Sequence, residues 1–159
     1  MVNEFGYDIA QLAYTELFTP KLDESLKFFT QYLGMQVTKR VGNSIYLRAY
    51  EETYHHSLKL TERDEPGVGV IGWRATSPEA LQRRIKIIKE AGYGIGWSKE
   101  SPGRGEAYQF KTPFGHQMEL FWDVEYYKPM EHEKTELLNR ATKRPSQACL
   151  LGESTTLTY

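Results

Sequence analysis

The chain has 159 residues, 40% of them hydrophobic and 26% charged, as is typical of a globular protein that buries an ordinary core. The net charge of −1 gives no broad basic field, so neither nucleic acid nor a membrane is an expected partner. The single Cys149 excludes a disulfide framework and a cysteine-based zinc site. The first residues are polar and no apolar run approaches the length of a membrane span, so we expect a cytoplasmic location.

The first half of the chain predicts a strand, a helix and three further strands. Residues 8–19 are rich in β-branched and aromatic side chains and end at Pro20. Apolar residues then recur with helical spacing over residues 23–34, with acids in the first turn and Gly34 at the end. The three strands that follow are predicted at residues 35–41, 44–49 and 54–61.

After a polar hinge at residues 61–67, the same order of elements begins again. Residues 68–75 predict a strand, and Ser77 and Pro78 are typical of the first positions of a helix. Three more strands are predicted at residues 94–99, 107–111 and 117–122. The β-α-β-β-β order therefore occurs twice, and an internal repeat is a stronger indication of fold than local propensity.

The repeat predicts an α+β fold within residues 1–126. Two βαβββ modules, residues 8–62 and 68–122, are expected to form one open, barrel-like mixed sheet with the helices outside. Residues 127–147 have the composition of a linker with a short helix at 131–139. Residues 148–159 show no usable periodicity and are expected to be a disordered tail.

The doubled pattern resembles the vicinal-oxygen-chelate superfamily, which includes glyoxalase I, bleomycin-resistance proteins and extradiol dioxygenases. More narrowly, it is similar to the N-terminal domain of catechol 2,3-dioxygenase-type enzymes. The stretches that carry the resemblance are residues 17–29, 34–35, 47–61, 71–79, 112–120 and 138–145. Residues 47–61 are the stretch most specific to the dioxygenase branch.

The resemblance implies where a metal would bind in an active copy of this fold. The family's active domain holds Fe(II) or Mn(II) with two histidines and one glutamate, which leaves positions open for a catechol and for oxygen. The matching positions of this chain are Tyr14, Val70 and Glu119. Val70 has no donor atom and Tyr14 is a poor ligand for Fe(II), so we expect no metal and no catalytic residue in this chain.

Alternation along the strands predicts which side chains face the shared interior. They include Glu16, Lys59, Arg74, Gln117, Glu119 and Phe121. Two acids and two bases balance, and buried charges persist only when they are paired. One interpretation is a plug of ion pairs, Glu16 and Glu119 against Lys59 and Arg74, where a metal once lay. The alternatives are a pocket in which Arg74 and Lys59 bind an anionic small molecule, and a genuine metal site.

The histidines do not predict a second metal site. His55 and His56 are adjacent on a predicted strand, so their side chains should face opposite sides and cannot chelate together. His116 and Glu119 should also face opposite ways, and His132 lies in the polar tail. The glycines at positions 103 and 105 lack the strand-to-helix context of a phosphate loop.

The leading hypothesis is a non-catalytic N-terminal domain of an extradiol catechol 2,3-dioxygenase. Such an oxidoreductase of aromatic degradation inserts both atoms of O₂ into a catechol, with Fe(II) or Mn(II) held in a second domain beyond this chain. One alternative is a stand-alone, dimeric, bleomycin-resistance-like protein that binds a small molecule. Another is a glyoxalase-like metalloenzyme, which the missing ligands disfavour. Exposed edge strands predict a homo-oligomer.

Overall fold

The computed structural model of the protein describes residues 7–130. Two helices, α1 (Leu22–Lys27) and α2 (Pro78–Glu90), accompany eight strands. The strands are β1 (Ile9–Thr19), β2 (Gln36–Val41), β3 (Ser44–Arg48), β4 (Leu58–Glu62), β5 (Gly67–Ala75), β6 (Gly94–Ser98), β7 (Ala107–Lys111) and β8 (Gln117–Phe121). This is the β-α-β-β-β order twice, as predicted.

The eight strands form one mixed sheet in the order β2-β3-β4-β1-β5-β8-β7-β6. Strand β1 pairs in parallel with β4, and β5 pairs in parallel with β8, so the two halves have the same internal arrangement. The halves join where β1 and β5 run antiparallel at the middle of the sheet. The sheet does not close into a barrel, and the predicted open α+β fold is confirmed. The module boundaries stay a prediction.

Each helix covers an apolar cluster on its own half of the sheet. The cluster beneath α2 consists of Ala75, Ala80, Leu81, Ile85, Tyr108 and Leu120. The cluster beside α1 consists of Ile45, Leu47, Leu58 and Leu60, with Leu22 and Leu26 packed against it. A third cluster lies at the junction of the halves and consists of Ala13, Tyr14, Tyr54, Ala107 and Phe121. The third cluster adjoins the candidate site.

The first predicted helix is interrupted. After α1 the chain makes one π-helical turn, Phe28–Tyr32, in which the Leu33 amide donates to the Phe28 carbonyl at 3.3 Å. The Thr30 hydroxyl donates to the Leu26 carbonyl at 2.8 Å, a side-chain contact that competes with regular helical hydrogen bonding. Apolar spacing predicts the buried side of this segment but not the change of helix type.

The strand predicted at residues 54–61 begins later, at Leu58, and the preceding residues form a loop. Tyr54 makes an isolated bridge with Tyr126, and the His55 amide donates to the Glu125 carbonyl at 2.9 Å. The loop is therefore tied to the segment after β8 instead of extending β4. The helix predicted at 131–139 and the tail at 148–159 lie outside the described residues. Within residues 7–130, no helix is long and apolar enough to cross a membrane.

Candidate functional site

The middle of the sheet brings together two of the three positions that match the family's metal ligands. Tyr14 on β1 lies opposite Gly72 on β5, and Gly72 lies opposite Glu119 on β8. Val70 is two residues away along β5, and its amide donates to Glu16 at 3.2 Å. Gly72, not Val70, is therefore the residue between Tyr14 and Glu119. The pairing of β1 with β5 contains register shifts, so counting residues from Tyr14 does not give its neighbour on β5.

The Tyr14 ring lies against the bare backbone of Gly72. A Cβ atom at position 72 would stand 2.4 Å from Tyr14 Cε1, closer than any side chain tolerates. The ring also contacts His56 at a centroid distance of 4.8 Å and Phe121 at 6.3 Å. Tyr14 thus fills the space that a side chain from position 72 would need, and position 72 has no donor atom to offer.

Glu119 is 1% exposed and both of its carboxylate oxygens have partners. The Tyr14 hydroxyl donates to Oε1, and the Arg104 guanidinium forms an ion pair with the carboxylate, with Nη2 2.8 Å from Oε2. Burial, together with the Glu119 charge, raises the pKa of the Tyr14 phenol far above its usual value. The phenol therefore stays protonated and donates to a carboxylate whose charge Arg104 neutralises.

Arg104 is a site residue that the sequence analysis did not select. Its side chain is 7% exposed, and it enters from the loop between β6 and β7. Nη1 donates to the carbonyls of Lys99 at 2.9 Å and Gly105 at 2.7 Å, so the guanidinium also folds its own loop. The sequence did contain one indication of this loop: glycines lie on both sides of Arg104, and Gly103 has the positive φ of +85° that a sharp turn requires.

Arg74, one of the two bases predicted for the plug of ion pairs, has other partners. Its Nη1 donates to the Tyr54 hydroxyl and its Nε to the Trp122 carbonyl, each at 3.3 Å. Its guanidinium also stands 4.6 Å from the centroid of the Trp122 ring. The pairing of Arg74 with a buried acid was wrong, because strand alternation identifies the face of a residue but not which loop residue reaches that face first.

Glu16 and Lys59 form the second ion pair of the interior. Lys59 Nζ lies 2.7 Å from Glu16 Oε1, and the Thr61 hydroxyl donates to the same oxygen at 2.7 Å. Burial favours a higher pKa for the Glu16 carboxyl, but the hydrogen bonds from Lys59 and Thr61 and the Lys59 charge outweigh it. The net effect is a pKa below the usual value. Three of the four charges predicted for the plug, Glu16, Lys59 and Glu119, are therefore in ion pairs, and Arg104 takes the place predicted for Arg74.

The predicted orientation of the two adjacent histidines was wrong. His55 and His56 lie in the loop before β4, and their Nδ1 atoms are 3.1 Å apart. The rings pack against Tyr46, at centroid distances of 6.0 and 4.8 Å. Opposite facing applies to neighbours on an extended strand, and residues 55 and 56 are not in one.

The residues proposed as a small-molecule pocket are dispersed. Phe121 is buried in the cluster with Tyr14, and Gln117 lines a separate cleft of about 310 Å³ beside Phe18 and Phe114. A larger cleft of about 470 Å³ lies above the site, between the loop at 100–105 and the segment at 123–125. Lys59 pairs with Glu16, and Arg74 bonds to Tyr54 and to the Trp122 carbonyl.

The donor set at the sheet centre does not fit a catalytic divalent metal. The Glu119 oxygens already accept from Tyr14 and Arg104, Gly72 offers no donor atom, and the phenol of Tyr14 is held protonated. His116 lies in the exposed turn before β8, bonded to Thr112. Within the described range 7–130, no three His, Cys, Asp or Glu side chains are grouped so that they could hold a metal ion.

The sequence matches known proteins over most of its length. It is 60% identical, over 89% of the chain, to a metapyrocatechase from Geobacillus stearothermophilus. It is 35% identical, over 87% of the chain, to a manganese-dependent 2,3-dihydroxybiphenyl 1,2-dioxygenase from Geobacillus genomosp. 3. The chain spans 43% and 44% of the length of these two relatives, which is less than half of each.

Solved structures give the same relationship. A homoprotocatechuate 2,3-dioxygenase from Arthrobacter globiformis superposes with a TM-score of 0.73 and 29% identity, over 85% of this chain and 42% of that one. A mutant of the homoprotocatechuate 2,3-dioxygenase from Brevibacterium fuscum superposes with a TM-score of 0.72 and 30% sequence identity, over 77% of this chain and 34% of that one. The model of the Glyoxalase/Bleomycin resistance protein/Dioxygenase superfamily matches residues 11–120, and the chain belongs to this superfamily.

Proposed function

We propose that this chain is the non-catalytic N-terminal domain of an extradiol ring-cleaving dioxygenase and that it supports a second, metal-bearing domain of the same protein. The curated relatives are named as dioxygenases and metapyrocatechases, and the chain corresponds to less than half of each. In the parent protein, Fe(II) or Mn(II) in the second domain would supply the chemistry that inserts O₂ into a catechol.

One observation carries the non-catalytic assignment: the Arg104 guanidinium is paired with the only carboxylate at the matching positions. A divalent ion bound to Glu119 would have to displace that cation, which is 7% exposed and anchored to two backbone carbonyls. Tyr14 and Gly72 add no anionic or imidazole ligand to compensate. The ion pairs instead join β1 to β4, through Glu16 and Lys59, and the β6–β7 loop to β8, through Arg104 and Glu119.

The outer surface supports a role in assembly. The π-turn and the residue after it expose Phe28, Tyr32 and Leu33 by 50%, 72% and 58%. Among the described strands, β2 and β6 stand at the two ends of the sheet, and each has a backbone edge that no other described strand covers. We take the protein's own second domain, and further copies in a cytoplasmic homo-oligomer, as the partners of these surfaces.

The proposal is tested by metal content and ring cleavage. The 159-residue chain, equilibrated with Fe(II) or Mn(II) and desalted, is expected to retain no stoichiometric metal and to leave catechol uncleaved. In the protein translated past codon 159, Glu119→Gln is expected to preserve metal stoichiometry. The matched control replaces the corresponding glutamate of the second domain, which is expected to remove both metal and activity.

Two results would overturn the proposal. One is a stoichiometric metal ion in the 159-residue chain that Glu119→Gln removes, because Glu119 would then be a ligand. The other is a natural stop codon directly after codon 159, because the chain would then have no second domain to support. That second result favours the stand-alone, small-molecule-binding alternative.

A further inference from the structure

The proposed function makes no use of the paired histidines. His55 and His56 are 9% and 4% exposed, and the loop before β4 holds both rings against one another. Tyr46 packs on both rings, and Tyr14 packs on the ring of His56. Two imidazoles in direct contact inside a protein form an unusual arrangement, since each can take up a proton near neutral pH.

The distance between the two rings fixes their joint protonation state. A separation of 3.1 Å between two Nδ1 atoms is a hydrogen bond, so one nitrogen carries a proton and the other is a bare acceptor. His56 Nε2 is buried without a partner. A proton on His56 Nε2 would be a buried N–H without an acceptor. The proton therefore lies on His56 Nδ1, which donates to His55 Nδ1. A further proton on His55 Nδ1 would set N–H against N–H.

The charges around the two histidines oppose the uptake of a further proton. Burial and the nearby Lys59 and Arg104 lower the pKa of His56 to about 3, with His55 adding to the effect. Burial and Lys39 also lower the pKa of His55, which Glu125 only partly offsets. Among the charged side chains that act on the pair, Lys39, Lys59 and Arg104 are cations and Glu125 is the acid.

The pair sits where three segments meet: residues 51–57, the loop at 101–105, and residues 123–127. The His55 amide donates to the Glu125 carbonyl, and the Glu125 amide donates to the Gly103 carbonyl, both at 2.9 Å. The Tyr127 amide donates to the Thr53 carbonyl at 2.8 Å. A Cβ atom at Gly103 would stand 2.6 Å from His56 Nδ1, so the loop lies directly on the pair.

We propose that His55 and His56 form an acid-sensitive latch. Uptake of one proton from solvent at His55 Nδ1 removes the acceptor of the Nδ1–Nδ1 hydrogen bond and sets two N–H groups against each other. The segments at 51–57, 101–105 and 123–127 then separate, and the face above Arg104 opens while the eight-stranded sheet persists. The latch is independent of the dioxygenase assignment, because it rests on the loop contacts alone.

Native-state hydrogen exchange of the 159-residue chain tests the latch. The reporters are the amides of His55, Glu125 and Tyr127, and the references are amides of β5 and β8. Opening that takes up one proton becomes about tenfold more favourable per pH unit below about pH 6. We expect reporter protection to fall about tenfold from pH 6 to pH 5, with exchange almost independent of low urea concentrations. Reference amides should respond to urea, because they exchange through global unfolding.

Variants separate the latch from general acid sensitivity. The double variant His55→Gln with His56→Gln has no imidazole in the pair to take up a proton, so the tenfold fall should disappear, whereas exposed His116→Gln should behave like the wild type. Imidazole ¹⁵N shifts of the wild type provide a readout that needs no variant, and we expect one of the two rings to carry its proton on Nδ1. Reporter amides that share the urea dependence of β5 and β8 at pH 5 would overturn the latch. So would His55 and His56 titrating at ordinary values without loss of protection.

Discussion

The Arg104 guanidinium and the Glu119 carboxylate form an ion pair almost wholly withdrawn from solvent, at 7% and 1% side-chain exposure. Arg104 comes from a loop and Glu119 from a central strand, so the pair fastens the β6–β7 loop to the middle of the sheet. Charges buried this deeply are stable only together, because each alone would lose its hydration without compensation. The pair therefore makes the sheet centre depend on a single loop residue.

Arg104→Met should destabilise the fold strongly. It leaves the Glu119 charge buried with only the Tyr14 hydroxyl as a partner, and breaking a buried pair in this way costs about 3–5 kcal/mol. The measurement is the free energy of unfolding from urea titration. The control is Arg74→Met, which removes two long hydrogen bonds to neutral groups and should cost about 1 kcal/mol.

The double variant Arg104→Met with Glu119→Met checks the cause. It removes both charges, so it should be more stable than Arg104→Met alone. Equal losses at Arg104 and Arg74, or a double variant as unstable as the single one, would show that buried charge is not the reason.

Tyr14→Phe removes the hydroxyl that donates to Glu119 and keeps the ring against Gly72. A buried carboxylate that loses a donor should cost about 1–3 kcal/mol of unfolding free energy. Tyr32→Phe is the matched control, since Tyr32 is 72% exposed and should change stability little. If the two variants unfold alike, the Tyr14 hydroxyl does not contribute to stability.

Glu16 should make stability fall with acid. The pKa of its carboxyl in the folded protein lies below the usual value of 4.5, so its contribution is complete above pH 4.5 and is lost as pH falls through the folded pKa. The difference in unfolding free energy between wild type and Glu16→Gln should therefore be constant near neutral pH and shrink below pH 4.5. Replacing Lys59, the charged partner, with Met should weaken this dependence. A difference that grows in acid would contradict the pairing.

Gly103→Ala should cost more than a comparable substitution in an open turn. Both Gly103 and Gly34 have positive φ, +85° and +71°, so alanine is strained at either position by about 1 kcal/mol. Only at Gly103 would the new Cβ atom also collide with a buried side chain, His56. In thermal unfolding, the lowering of the melting temperature by Gly103→Ala beyond that by Gly34→Ala measures the effect of the collision. Equal shifts would place the loop farther from the histidines.

The sequence predicts what depends on periodicity and repetition. Strand composition and the doubling of the βαβββ order predicted the sheet, whereas the relationship to dioxygenases was predicted from the resemblance of particular stretches, above all residues 47–61. Periodicity carries no information on contacts that irregular segments create. Tertiary packing determines three such features. They are the loop that brings Arg104 to the site, the bend that brings His55 and His56 together, and the register shifts that put Gly72 in place of Val70. For the same reason the Glu16–Lys59 pair, formed between two neighbouring strands, was the part of the plug that alternation could predict.

Placing metal ligands at the row Tyr14–Gly72–Glu119 tests both the register and the proposal that this chain holds no metal. Tyr14→His and Gly72→His, combined with Arg104→Ala, would leave two imidazoles and a free carboxylate on adjacent strands, the donor set that suits Fe(II) or Mn(II). We expect this triple variant to bind Co(II) or Mn(II) at one equivalent, measured by Co(II) absorption and calorimetry. The matched control carries Val70→His in place of Gly72→His and should not bind, because Val70 lies outside the row. Equal binding by both triple variants would contradict the register, whereas binding by unmodified protein would mean that Arg104 does not exclude the ion.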